Sequence, residues 1–452
     1  MPFTVLTNAD VQEILYSLDK EDVQELQSNL AEALHSYSTG DTNSPCSASS
    51  QPRQTVIKKN GMTTLFMPAS TGISVGMKIV SLEQPVAMSK NSSVSSSMSG
   101  TLPGTPAGSM SGAFVKSATN ELGSMTLSPA STMSSGRNSI DGSSFQPPAS
   151  LASSQSTAPK GSVTLLDRTG NPLGIVNAEE LTAFRTALAS TMLLTKRQNV
   201  HTVTVFGAGK QAYWHIRLAL ILKGDQIHHV NIINRSFERS IKLMKAFQMT
   251  QEDRVQWRKD IKFSAMSPEF GEYGRLLKEE VRKADVIFCC TPSTEPLFPA
   301  EFLTSREGRR KGRYIVAIGS YAPHMVEVHP DIFKLAVEPE HGGHHHHHKH
   351  ARQGGVIIVD SLESCMKEAG EIIKAKLKPE HLVEVGELMM IKKAATKEIK
   401  LGGPGEQGLI DWLTKGNLIY KSVGMGLMDL VVAGDLIALA KAKDVGTTIE
   451  DF

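Results

Sequence analysis

The chain has 452 residues and a formal net charge of +2, with 21% charged and 40% hydrophobic residues. Such a length predicts two or three domains, and so balanced a charge gives no reason to expect nucleic acid or an acidic surface as a partner. The four cysteines (Cys46, Cys289, Cys290, Cys365) lack metal-ligand or disulfide spacing, which suits a reducing, cytoplasmic location; the N-terminus carries no basic and apolar leader, and no uncharged run reaches the roughly 18 residues of a membrane span.

In chain order, residues 7–36 read as helix, with Val23, Leu26, Leu30 and Leu34 at spacings of three and four and Asn8 or Asp10 as the cap. TVIKKNGMTTLFMP reads as a hairpin turning at Asn60-Gly61, with Arg53 just before it. A further strand, GMKIVSL, carries Lys78. From about residue 88 to 160 the composition turns to Ser, Gly, Thr, Pro, Ala and Met, with Ile140 the one isoleucine. Such a segment buries too little apolar surface to offset the entropy of ordering, so we expect a disordered insertion. Thr105-Pro106 and Ser128-Pro129 are potential proline-directed phosphosites within it. Two short strands follow, at 163–166 and 173–176, and then a helix from Ala178 that holds Arg185 amid apolar neighbours. A buried arginine is costly unless paired or used.

HTVTVFGAGKQAYWHIRLALILKGDQIHHVNIINR then gives strand, glycine turn, helix and strand. Gly207, Gly209 and Ala212 form a G-x-G-x-x-A fingerprint, with Ala208 and Gln211 in the same turn. The first glycine allows the tight turn, the second lets a pyrophosphate approach, and the small third residue lets helix and strand pack. The helix N-terminus offers free N–H groups to phosphate. The second strand ends in Asn234-Arg235-Ser236, not in the acid that would hold a ribose 2′-hydroxyl. An acid would repel a 2′-phosphate, whereas Arg235 pairs with one and Ser236 can donate to it, so NADP(H) is expected over NAD(H). Three further strands end at Thr291-Pro292-Ser293, at Gly319-Ser320-Tyr321 and at Asp360. Strand C-termini line the crevice of an open parallel sheet, which puts the first two sets near a nicotinamide. HGGHHHHHKH at 341–350 reads as a low-complexity loop tip that binds Ni or Zn adventitiously, because a homopolymeric run supplies no groups to fix its ligands. The end of the chain is a strand at 418–420, a turn Lys421-Ser422-Val423-Gly424 suited to a close ligand approach, and an amphipathic helix.

With these motifs in order, the sequence resembles the ornithine cyclodeaminase/mu-crystallin family. The resemblance rests on Pro52-Arg53, Met67-Pro68, Lys78 in MKIVSL, LTAFRTALAST, VFGAGKQAYWH, INRS, CTPSTEPLF, AIGSYAP, VDSLESCMKEAGEI, GEL and YKSVGMGLMDLVVA. It covers nearly all of residues 5–450 apart from the Ser-rich insertion and the His run. It implies an α/β protein: a Rossmann-type nucleotide-binding domain (196–414), and a discontinuous α+β substrate and dimerisation domain (1–87 and 161–195, completed by 415–452). It implies a homodimer, an active site in the cleft, and a substrate carboxylate held by Arg53, Lys78 and Arg185. Three cations from separate elements need an anion among them, and guanidinium suits a carboxylate. The cyclodeaminase proper has acids at the positions equated with Tyr321 and Thr64, and both are missing. The mu-crystallin branch lacks the aspartate as well, carries Asn-Arg after the second strand, and reduces ketimines with NADPH. The expected activity is therefore NADPH-dependent reduction of a small imino acid, with Lys78, or alternatively Tyr321, as proton donor. The alternatives are a non-catalytic cofactor-binding regulatory protein, and a cyclodeaminase or amino-acid dehydrogenase with an altered site.

Overall fold

The computed structural model describes residues 2–40, 46–48, 51, 54–59, 62–83, 159–248, 257, 260–338, 355–388 and 404–452. Arg53, the Asn60-Gly61 turn, residues 84–158, which take in all but the last two of the Ser-rich segment, and the His run lie outside the described residues.

The N-terminal helical pattern divides in two. After strand β1 (Phe3–Leu6), helix α1 (Asn8–Tyr16) is capped by Thr7, not by Asn8 or Asp10. The Thr7 N–H donates to Asp10 Oδ2 at 2.8 Å, and the Asp10 N–H returns to Thr7 Oγ1 at 3.3 Å. Asp19 and Asp22 repeat this reciprocal cap at the start of α2 (Lys20–Thr39). A fresh cap at Asp19 is what breaks the expected single helix.

One sheet has seven strands in the order β15-β1-β6-β5-β4-β3-β2. Its members are β2 (Thr55–Lys59), β3 (Met62–Ser70), β4 (Ser74–Glu83), β5 (Lys160–Asp167), β6 (Pro172–Asn177) and β15 (Thr447–Ile449), with β1. Period-two alternation gives it two faces. The inner face carries Met67, Ala69, Lys78, Val163 and Val176, all buried. The outer face exposes Val75 and Met77. The C-terminal helix α12 (Gly426–Lys443) lies on the inner face. Two glycines permit that approach: a Cβ on Gly76 would come within 2.6 Å of Leu430 Cδ1, and one on Gly174 within 2.8 Å of Ile437 Cδ1.

The second sheet is parallel and eight-stranded, in the order β13-β12-β14-β11-β10-β7-β8-β9. It contains β7 (Thr202–Phe206), β8 (His229–Ile233), β9 (Lys262–Met266), β10 (Val286–Cys289), β11 (Tyr314–Ala317), β12 (Ile357–Val359), β13 (Leu382–Glu384) and β14 (Leu418–Lys421). The central strands are buried along their length because helices cover both faces. Strand order reverses between β7 and β10, and ligands of open α/β sheets bind outside such a switch point. The sequence places residues 415–452 with the substrate domain; strand β14 within them instead pairs with β11 and β12. Among the described residues, no helix is long and apolar enough to cross a membrane.

Candidate functional site

The glycine turn joins β7 to helix α4 (Lys210–Lys223) at the switch point. Gly207 has φ +113°, a region that favours glycine, and a Cβ there would lie 2.8 Å from the Cys290 carbonyl oxygen. Gly209 caps α4, and a Cβ on it would meet nothing within 4 Å. The turn is therefore tight on its strand side and open over the helix N-terminus, as a pyrophosphate requires. Ala212 is fully buried, and Gln211 Oε1 is a buried acceptor with no hydrogen-bond partner among the described residues. These features fit a dinucleotide. Lys210 is held by Glu179 at 3.0 Å and Glu180 at 2.6 Å. Glu180 also accepts from Trp214 Nε1 at 2.6 Å and from Gln12 Nε2 at 3.0 Å. Both glutamates begin helix α3 (Ala178–Thr191), so this helix is tied to the start of α4.

At the end of β8, Asn234 Nδ2 donates to the Ser236 carbonyl at 2.9 Å. Arg235 is exposed, and so is Arg239 one turn into the next helix, α5 (Phe237–Gln248). Ser236 Oγ accepts the Arg239 N–H at 3.4 Å.

The strand ends near the expected nicotinamide position are held by carboxylates that the motifs do not single out. Glu327 is fully buried: Oε1 accepts the Thr291 N–H at 2.7 Å, and Oε2 accepts the N–H groups of Gly319 at 2.6 Å and Ser320 at 3.1 Å. It thus clasps the ends of β10 and β11 together. Burial pushes its carboxyl group up to about 7, Lys421 opposes that rise and Glu371 adds to it. Gly319 has to be glycine here, because a Cβ would sit 2.2 Å from the Thr291 oxygen. Ser293 is buried, its Oγ donating to the Glu295 carbonyl at 2.6 Å, while Thr291 and Pro292 are half-buried beside it. Glu371 accepts the Glu327 N–H at 2.8 Å and the Ser320 hydroxyl at 2.5 Å. Lys421 donates to Ser320 Oγ at 2.5 Å. Asp360, at the end of β12, holds the 421–424 turn: Oδ2 accepts from Ser422 Oγ at 2.6 Å, the Val423 N–H at 3.2 Å and the Gly424 N–H at 2.7 Å.

That turn leads to the cations. Gly424, at φ +89°, lies so close to Arg185 that a Cβ would stand 2.9 Å from its Nη2. Arg185 is 4% exposed and Lys78 is 2% exposed. Both donate to one atom, Asp429 Oδ1: Lys78 Nζ at 2.8 Å and Arg185 Nε at 3.2 Å. Burial pulls the Lys78 ammonium down to about 8; Asp429 resists this and Arg185 assists it. The expectation that only a bound anion could hold these cations together needs correcting, because Asp429 is a built-in anion. Arg185 and Glu180 share α3, about 7.5 Å apart along the axis, so one helix serves both the cations and the start of α4.

Two expected residues are elsewhere. Thr64 pairs with Ser81 on the outer face, where their hydroxyls lie 2.8 Å apart, while Lys78 points inward. The inward residues of that strand are Thr63, Leu65, Met67 and Ala69, so it offers no acid from this side either. Tyr321 is 45% exposed and forms no hydrogen bond with Lys78, Arg185 or Asp429, so it stands outside the cation cluster. Among the described residues, no group of His, Cys, Asp or Glu could hold a metal ion.

The chain is 28% identical over 302 residues to a Delta(1)-pyrroline-2-carboxylate reductase of Bacillus cereus, covering 64% of this chain and 74% of that one. It is 25% identical over 283 residues to the ketimine reductase mu-crystallin of Macropus fuliginosus, covering 62% and 69%. The fold matches Thermococcus litoralis Delta(1)-pyrroline-2-carboxylate reductase, solved with NADH and L-proline, at TM-score 0.59 and 16% identity over 99% of this chain and 100% of that one. An archaeal alanine dehydrogenase dimer with bound NAD gives TM-score 0.59 at 18% identity, over 100% of both chains. The ornithine cyclodeaminase/mu-crystallin family model matches residues 110–390, more than half of the chain, and the protein belongs to that family.

Proposed function

We propose that the protein is an NADPH-dependent reductase of small imino acids. The observation that carries this reading is the buried Lys78–Arg185–Asp429 cluster beneath the turn at 422–424, beside the strand ends of a dinucleotide-type sheet. Two cations against one carboxylate leave an excess positive charge out of water, which a substrate carboxylate balances. Arg185 offers Nη2 for that purpose, while Nη1 donates to Met428 Sδ at 3.3 Å, and Arg53 of the sequence motif is assigned the same role. The nicotinamide, when bound, supplies hydride to the imine carbon. Lys78, with its proton affinity lowered to about 8, remains charged at neutral pH and can still give its proton to the substrate nitrogen. Thr291, Pro292, Ser293, Gly319, Ser422 and Val423 would shape the nicotinamide end, and Gly207 to Ala212 the pyrophosphate turn. NADP(H) over NAD(H) is supported by the exposed Arg235 and Arg239, with no acid at the end of β8.

The apolar outer sheet face, with Val75 and Met77 exposed, supports a homodimer closing over it. Four free cysteines support a reducing, cytoplasmic setting. The decisive experiment is NADPH oxidation with pyrroline- and piperideine-carboxylates, with the amino-acid product identified. Intact NADPH binding with no turnover on any imino acid would indicate a binding protein; proline and ammonia formed from ornithine would indicate a cyclodeaminase.

A further inference from the structure

The Asp429 carboxylate is used on one side only. Oδ1 takes both Lys78 and Arg185, while Oδ2 is buried and has no hydrogen-bond partner among the described residues. An acceptor left unpaired in the interior is costly, and native structures seldom keep one without a use. Asp429 lies in the first turn of α12, where the helix N-terminus stabilises negative charge. Among the described residues it is the only carboxylate in ion-pair contact with Lys78 or Arg185.

We propose that Asp429 Oδ2 accepts the hydrogen bond donated by the protonated substrate nitrogen, the iminium before hydride transfer and the ammonium of the product. The inference rests on the reading that a ligand carboxylate sits on Lys78 and Arg185. In any α-imino or α-amino acid the nitrogen is one carbon removed from the carboxylate. A carboxylate seated on these two cations therefore keeps the nitrogen close to the residue that both of them contact. The acid sought at the Thr64 and Tyr321 positions is thus supplied from the C-terminal helix.

Charge balance makes the idea discriminating. The cluster carries one excess positive charge. A nitrogen-free carboxylate neutralises it, whereas a zwitterionic amino acid leaves it unchanged. Without an acceptor for the ammonium, the cluster favours the nitrogen-free ligand; with Asp429 Oδ2 as acceptor, the order reverses.

The test is calorimetric titration of the NADP-saturated protein with L-proline and with cyclopentanecarboxylate, which has the same ring and carboxylate but no nitrogen. The wild type should prefer proline by about tenfold or more, the worth of one hydrogen bond to a charged group. Asp429→Asn should abolish or invert that preference. Lys78→Met should weaken both ligands by a similar factor. Equal affinities in the wild type would overturn the proposal, and that arm does not depend on any variant folding. So would an Asp429→Asn variant that weakens both ligands equally, since Asp429 would then only support the cations. If neither ligand binds the wild type while NADP does, the carboxylate reading itself fails and this inference falls with it.

Discussion

Asp360 offers the sharpest test of how the site is held together. It is 1% exposed, and its two oxygens accept from the N–H groups of Ser361 at 2.9 Å, Val423 at 3.2 Å and Gly424 at 2.7 Å, and from Ser422 Oγ at 2.6 Å. Asp360→Ala would leave three backbone donors without their acceptor. Each orphaned donor costs about 1–3 kcal/mol, and water entering the vacated space recovers part of that. We expect a net loss of about 3–5 kcal/mol. Asp360→Asn keeps the shape and one oxygen, and should cost about 1–3 kcal/mol. Urea unfolding followed by far-UV circular dichroism measures both, as a lower midpoint at unchanged slope. NADPH affinity should fall in the same order, because Ser422 and Val423 are assigned to its nicotinamide end. An alanine variant within about 0.5 kcal/mol of wild type, the range of a neutral surface change, would refute the argument that this carboxylate anchors the turn.

Three other outcomes follow from the same geometry. Arg235→Ala should weaken NADPH by about tenfold and leave NADH unchanged; equal effects in paired titrations would remove the 2′-phosphate role. Glu327, raised to about 7 by burial, is protonated more readily when folded than when unfolded. Its contribution is therefore complete below the ordinary carboxyl range and is lost as pH rises through about 7, an effect on the order of 3 kcal/mol. Glu327→Gln should remove that fall, so the urea midpoint of the wild type should drop relative to that of the variant as pH rises from about 4 to 8; a midpoint difference independent of pH would contradict the assignment. Gly424→Ala forces a left-handed conformation on alanine, at about 1–2 kcal/mol, and pushes against Arg185. It should reduce proline affinity in calorimetry more than NADPH affinity, and the reverse order would count against the Gly424–Arg185 contact as part of the carboxylate site.

Much of this was readable from residue order because the signals were local. The strand, Gly207-Ala208-Gly209 and the following helix are contiguous, and the run from Ala178 with Arg185 inside it is helical as read. What stayed hidden depended on pairing across the chain. Asp429 sits in GLMDLVVAGDL, which reads as ordinary amphipathic helix; only its contact with residues 351 and 244 positions away makes it an ion-pair centre. Glu327 and Glu371 each stand alone between apolar or small neighbours, and Asp360 ends an apolar strand; those were the available signals. That Thr64 faces away from Lys78 depends on strand register, since one residue of register exchanges the faces of a strand. The sheet membership of β14 rests on its pairing with strands about 60 to 100 residues earlier, which local propensity does not encode.

The central claim is reduction of an imino acid by NADPH, with Lys78 as the proton source. Its most direct measurement is steady-state NADPH oxidation with pyrroline-2-carboxylate and piperideine-2-carboxylate, comparing wild type with Lys78→Met. The account predicts that proline or pipecolate forms in step with NADPH consumed, and that the variant is slower by about 100-fold or more while still binding NADPH. A wild-type protein that binds NADPH yet reduces neither substrate, or a Lys78→Met variant as fast as wild type, would contradict it.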